Sequence, residues 1–209
     1  MKNFNTYIIE KLKINKETQT YKYHPESLEE LKKIIISEKD GNRKKKLDLT
    51  DIDISKLESL KGLFKDFVNL NEVNLSGWDT SNIIDMGEMF LSCKNLRIVD
   101  CSDWNTSNLL NMNNMFQFNR KLETVKGIEN WDTSSVENMK STFYDCQHFN
   151  ANLSSWEVKR VKEFTATFAG CHKLNFNIEN WSVDKDAYTK WMFTNCDSLN
   201  KPSWYKRKL

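Results

Sequence analysis

Apolar and polar positions recur along this chain in two ladders that share one register. Trp78, Trp104, Trp131, Trp156, Trp181 and Trp204 are spaced by 26, 27, 25, 25 and 23 residues. Phe64, Phe90, Phe116, Phe143, Phe168 and Phe193 are spaced by 26, 26, 27, 25 and 25. Ladders that march together define an internal repeat, which has to be recognised before any single element is assigned. Three residues after each Phe stand Phe67, Cys93, Asn119, Cys146, Cys171 and Cys196, and six after it Leu70, Leu96, Leu122, Phe149, Leu174 and Leu199. Seven before it are Leu57, Ile83, Leu109, Val136 and Val161, a column that the last copy breaks with Asp186. Ten before it are Ile54, Thr80, Thr106, Thr133, Val158 and Val183.

The end of each copy has period two. Leu70-x-x-Val73-x-Leu75 and Leu96-x-x-Val99-x-Cys101 alternate as short strands do, and Leu122-x-x-Val125 begins the same way, in the manner of a leucine-rich repeat. The stretch leading into the Phe has another period. Ile83, Met86, Met89 and Phe90, repeated as Leu109, Met112, Met115 and Phe116, are spaced i, i+3, i+6, i+7 and predict one face of a helical or 3₁₀ turn. One such unit cannot bury its own apolar face, so the copies must stack, with strands about 4.8 Å apart in a parallel array. The pattern predicts an α/β fold: a leucine-rich-repeat-like solenoid of about six rungs over residues 47–200. It is right-handed by the general rule for parallel crossovers.

Residues 1–46 lie outside the repeat and predict a small α/β cap with short strands over 6–14 and 18–23. A helix is expected over about 25–38, with Pro25 and Glu26 in its first turn and Leu28, Leu31, Ile34 and Ile35 on one face. Such a cap covers the open apolar end of a stack. Residues 201–209 form the opposite cap, with Pro202, Trp204 and Tyr205 plugging the last rung ahead of a basic tail.

The strings Trp-Asp-Thr-Ser-Asn-Ile and Met-x-x-Met-Phe-x-x-Cys of residues 78–93, echoed at 104–116 and 131–146, resemble the repeat of BspA-like leucine-rich repeat surface proteins. The segment Leu47-Asp48-Leu49-Thr50-Asp51-Ile52-Asp53-Ile54-Ser55 is similar to that family's opening, and the resemblance covers about residues 24–200. It fades toward the C-terminus, where Val158-Lys159-Arg160 replaces Thr-Ser-Asn and Lys185-Asp186-Ala187-Tyr188 fits poorly. The resemblance implies a binding scaffold displayed on bacterial surfaces, with no catalytic residues.

Composition narrows the picture further. A chain of 209 residues with 39% hydrophobic content supplies a core, and 31 Lys+Arg against 29 Asp+Glu leave a formal charge of +2 that argues against dedicated nucleic-acid binding. No apolar run approaches the roughly 18 residues of a membrane span, so no membrane insertion is expected. Glu10 and Lys11 interrupt the N-terminus before an apolar signal core develops, and the five cysteines are an odd count. Both features predict residence in a reducing cytoplasm, whereas the family resemblance implies a cell surface or virion.

Candidate chemistry is sparse. Cys146-x-His148 and Cys171-His172 form a Cys₂His₂ set on paper, but column cysteines are expected to point inward as small apolar groups, so no metal site is assigned. Asp53, Asp79, Asp132 and Glu157, interrupted by Asn105 and Ser182, form a column of turn and cap residues rather than a cation-binding edge. The basic runs Arg43-Lys44-Lys45-Lys46 and Lys206-Arg207-Lys208 lack interleaved aromatics that stack bases. There is no Gly-x-Ser-x-Gly, phosphate loop or His-Glu-x-x-His, and no catalytic or cofactor-binding residue is assigned.

The expected function is a non-catalytic scaffold for protein–protein interaction or adhesion. Its alternative is a structural component of a surface or viral particle that docks through its edges and self-associates. The partner-contact candidates are Asn82, Asn108, Ser135, Arg160 and Lys185, one polar position per copy. Tyr188 and Trp191 are further candidates as aromatic anchors, because Trp191 stands where other copies carry Glu88 or Asn114.

Overall fold

A computed structural model describes residues 20–41 and 43–205 of the chain. Strands β1 (Lys46–Asp48), β2 (Glu72–Asn74), β3 (Ile98–Asp100) and β4 (Thr124–Lys126) form one parallel sheet in chain order. Leu47, Val73, Val99 and Val125 face one another in register and are the buried residue of each strand. Strands therefore form where the period-two ends of successive copies placed them, and the chain is an α/β protein with few helices.

The strand array stops at β4, short of the six strands expected. Nine residues separate Leu122 from Trp131, but only seven separate Phe149 from Trp156 and Leu174 from Trp181. The shortened copies turn instead: Asn152 Oδ1 accepts the Ser154 N–H at 3.1 Å, and Asn150 Oδ1 that of Asn175 at 3.0 Å. A second line of pairing continues past the sheet, because Ser59, Asp85, Asn111, Asn138, Glu163 and Tyr188 are joined in order by parallel bridges.

Of the helical or 3₁₀ turn that the spacing predicts, the stretch around each Phe keeps single i→i−3 turns but forms no continuous helix. Met86, Glu88, Phe90 and Ser92 donate their N–H groups at 2.8–2.9 Å to the carbonyls of Asn111, Asn113, Met115 and Gln117 in the next copy. Met89, Leu91 and Cys93 donate back three residues within their own copy. This alternation requires left-handed backbone two residues before and two after the Phe. In the first position φ is 63° at Gly62, 58° at Glu88, 54° at Asn114, 53° at Ser141, 55° at Ala166 and 59° at Trp191. In the second, Asp66, Ser92, Phe118, Asp145, Gly170 and Asn195 lie between 56° and 80°. Each non-glycine residue held there costs on the order of 1 kcal/mol, which the cross-copy hydrogen bonds offset. The i, i+3 spacing of Met86 and Met89 thus marks a tight turn, and the left-handed residues prevent it from propagating as helix.

The Phe ladder is a continuous stack inside the core. Neighbouring centroids are 5.1, 5.3, 5.4, 5.5 and 5.8 Å apart, with interplanar angles no larger than 11°. Trp104, Trp131 and Trp156 stack similarly at 5.7 and 6.3 Å. In the sixth copy, Ala187 fills the buried place that Asp186 vacates.

Before the first copy, helix α1 (Leu28–Lys33) runs into a π-helical turn, Ile34–Glu38. It starts later than position 25 because Ser27 is the N-cap, its Oγ accepting the Glu30 N–H at 3.2 Å. Leu31 and Ile35 are fully buried. Tyr23 makes a single bridge to Ile52 inside the expected second strand, while the strand expected over 6–14 and the tail Lys206-Arg207-Lys208 lie outside the described residues.

Candidate functional site

Hydrogen bonding between copies explains the polar columns and decides which side chains remain for function. Cys93, Cys146, Cys171 and Cys196 point inward, and each Sγ donates at 2.9–3.0 Å to the carbonyl of Phe64, Phe116, Phe143 or Phe168 in the copy before. Asn119 does the same through Nδ2, at 3.0 Å from the Phe90 carbonyl. Cys and Asn share this column because it needs a small side chain with one donor. Phe67 can stand in the first copy because no earlier Phe carbonyl precedes it. Burial pushes the Cys93 and Cys196 thiols up to about 12 and raises Cys101, Cys146 and Cys171 as well, so all remain protonated donors at neutral pH.

Asn119 Oδ1 is buried without a partner among the described residues. A cysteine there keeps the donor and removes an unsatisfied acceptor, which costs about 1–3 kcal/mol when buried. Asn119→Cys is expected to raise the melting temperature by a few degrees, read by thermal denaturation. A lower melting temperature would sink this account of the column.

Other columns are similarly spent. Thr80, Thr106 and Thr133 donate their hydroxyls to the next copy's Asn105, Asp132 and Glu157 carbonyls at 2.9–3.0 Å. Trp78, Trp104, Trp156, Trp181 and Trp204 donate their indole N–H at 2.8–3.2 Å to Leu49, Leu75, Ile128, Leu153 and Ile178 carbonyls. Asp53, Asp79, Asn105 and Asp132 accept the N–H of the residue two positions on at 3.0–3.2 Å, which is turn chemistry. His148 and His172 diverge: Nδ1 of His148 lies 2.7 Å from the Arg120 carbonyl oxygen, and Nδ1 of His172 lies 2.6 Å from Asp197 Oδ2. Among the described residues no group of three or more His, Cys, Asp or Glu side chains is placed to hold a metal.

The row of candidate contact residues differs in freedom from copy to copy. Asn82 and Asn108 donate Nδ2 at 2.8 Å to the Ser55 and Ser81 carbonyls, so their amides already brace the turn of the copy before. Ser135 is half-buried, Arg160 reaches Glu137 at 3.3 Å, and Lys185 is exposed. Tyr188 is 65% and Trp191 51% exposed, the largest values among the exposed large apolar residues described. Lys190 Nζ stands 4.2 Å from the Trp191 ring centroid. Ser59, Asp85, Asn111, Asn138 and Glu163 accept a backbone N–H two residues on, a role that the Tyr188 side chain at the same position does not take.

A slot adjoins Trp191. Its floor is Ala166, Ala169 and Gly170 of the fifth copy, and Tyr144 and Trp191 of the flanking copies are its walls, around a cleft of about 390 Å³. At these three positions, of which Ala166 and Ala169 are buried, the second copy carries Glu88, Leu91 and Ser92, and the fourth Ser141, Tyr144 and Asp145. Only the fifth copy has lost bulk at all three, and reading these columns side by side would have revealed the slot from sequence. Its rim includes Asp145, which accepts from Arg120 at 2.6 Å and Gln147 at 2.8 Å, and the His172–Asp197 pair. A neighbouring cleft is basic, lined by Lys94, Arg120 and Lys121 beside exposed Phe118, whose ring meets Tyr144 edge-on at 5.4 Å. No helix among the described residues is long and apolar enough to cross a membrane.

These features define an α/β repeat protein whose interior is committed to copy-to-copy bonding and whose exposed aromatics gather at one turn edge. The chain belongs to the family described as a Mycoplasma protein of unknown function, DUF285, which matches residues 31–124 and again 117–207. No curated protein and no solved structure matches the chain.

Proposed function

We propose that this protein is a non-catalytic repeat scaffold that binds a protein partner. The proposal includes the finer architecture expected from the sequence, a right-handed leucine-rich-repeat-like solenoid of about six rungs. The observation that carries the function is the slot of the fifth copy. Bulk is missing at three positions that line the cleft while aromatic walls stand on both sides, an arrangement suited to anchoring one side chain of a partner. Stability of the stack does not call for it, since the equivalent positions in the second copy are filled. The row from Asn82 to Lys185 is a broader flanking contact, of which Asn82 and Asn108 brace the turn of the copy before and Ser135, Arg160 and Lys185 do not.

The test fills the slot with residues that the repeat already uses there. Ala166→Glu with Ala169→Leu copies Glu88 and Leu91 of the second copy, so the fold should survive. A protein retained by the wild-type chain should bind this variant at least about tenfold more weakly, equivalent to about 1.4 kcal/mol. A variant with Asn82, Asn108, Ser135, Arg160 and Lys185 all changed to Glu measures the flanking row separately. Undiminished binding to both variants would remove the turn edge and the row as the interaction surface.

A further inference from the structure

We propose that the outer edge of the sixth copy docks a proline-rich extended segment of a partner protein, an inference that rests on the scaffold reading and specifies its binding mode. The bonding between copies has a direction. In the fifth copy the N–H groups of Phe164, Ala166, Phe168 and Gly170 donate at 2.7–3.0 Å to the Tyr188, Lys190, Met192 and Thr194 carbonyls. The equivalent donors one copy later belong to Thr189, Trp191, Phe193 and Asn195, and these four have no acceptor among the described residues. The carbonyls between them point back into the fifth copy. Phe193 is fully buried, so the edge presents the Thr189, Trp191 and Asn195 donors and no matching acceptors.

Three features select the occupant. Over the core the edge is closed, because the Tyr205 and Trp204 rings lie 5.0 and 6.2 Å from Phe193, where a further stacked ring would sit. A single chain segment fits along the open backbone, whereas another stacked copy does not. A donor-only edge suits a ligand that brings carbonyls and needs no acceptor for its own amides, and proline has no N–H. Tyr188 and Trp191, on the same segment and 65% and 51% exposed, supply aromatic faces against which proline rings of a preformed polyproline II helix pack. An ordinary β-strand would leave its inward N–H groups facing donors.

The test uses the full chain, labelled with nitrogen-15, titrated with a synthetic ten-residue proline peptide. The expected result is saturable movement of the Thr189, Trp191, Phe193 and Asn195 amides and the Trp191 indole, with affinity lowered about tenfold in Trp191→Ala. Ala166 shows that the repeat accepts alanine at this backbone position, so that variant should melt with the wild type. A glycine–serine peptide of equal length should leave these signals in place. The proposal is overturned if the proline peptide moves none of the four amides, or if the glycine–serine peptide moves them equally. It is also overturned if they move with protein concentration alone, which would assign the edge to a second copy. Loss of a partner in the slot-filled variant alongside any of these results would leave the scaffold reading intact and remove only this one.

Discussion

Replacing Phe116 with alanine should destabilise the protein by about 3–5 kcal/mol, the cost of a large aromatic cavity in a core that cannot collapse around it. Phe116 is fully buried between Phe90 at 5.3 Å and Phe143 at 5.4 Å, nearly parallel to both. Its backbone holds both neighbours as well, since its N–H donates to Thr142 at 2.8 Å and its carbonyl accepts from Cys146 at 3.0 Å. The flanking rings therefore cannot close the gap without breaking that ladder. The control is two residues away. Phe118 is 37% exposed and touches Tyr144 at its edge, so Phe118→Ala should cost under about 1 kcal/mol. Chemical denaturation of both variants checks the contrast, and a Phe116→Ala protein that unfolds with the wild type would contradict the stack.

The second large effect belongs to Gly127, just after β4 and before the 3₁₀ turn Ile128–Asn130. This copy is one residue longer than its predecessor between the Trp positions, and the excess is accommodated where φ reaches 85° at Gly127. An alanine Cβ there would lie 2.6 Å from Ser102 Cα and 3.0 Å from the Cys101 carbonyl oxygen, both backbone atoms of the previous copy. Gly127→Ala combines the left-handed penalty of about 1–2 kcal/mol with displacement of packed backbone, about 2–4 kcal/mol in total. Gly62 separates the two contributions. Its φ is 63° but nothing lies within 4 Å of an added Cβ, so Gly62→Ala should cost only about 1 kcal/mol. Equal losses in the two variants would show that the close approach to Ser102 has no energetic consequence.

The ladders of Phe and Trp were legible because stacking places like side chains on like neighbours, and periodicity survives single exceptions such as Asp186. The Thr and Cys/Asn columns were legible as columns but not as chemistry. Asn119 among the cysteines was the available signal that the position donates a hydrogen bond. Secondary structure around the Phe was legible only as a helical or 3₁₀ turn for a physical reason: tight turns and helices both produce i, i+3 apolar spacing. The left-handed positions that distinguish them are held mostly by residues such as Glu88, Asn114, Ser141, Ala166 and Trp191, with glycine only at Gly62 and Gly170. Loss of the strand after β4 accompanies a segment before the Trp that is one residue shorter than in the β2 and β3 copies and two shorter than in the β4 copy, a difference of length visible in the sequence once the fold explains its effect. Of the proposed site, the exposure of Trp191 was legible from its column, whereas the slot required comparing three columns at once.

Residue-resolved amide hydrogen exchange tests the copy-to-copy bonding most directly, because the account assigns each amide around the Phe to the next copy, to its own turn, or to no partner. Phe64, Phe90, Phe116, Phe143 and Phe168 should be strongly protected by donation to the following copy. Thr189, Trp191 and Asn195, half-buried or exposed and without an acceptor among the described residues, should exchange far faster than Phe164, Ala166 and Gly170, their equivalents one copy earlier. Equal protection of Trp191 and Ala166 would contradict the open edge, and rapid exchange throughout the Phe column from Phe64 to Phe168 would contradict the stacked array itself.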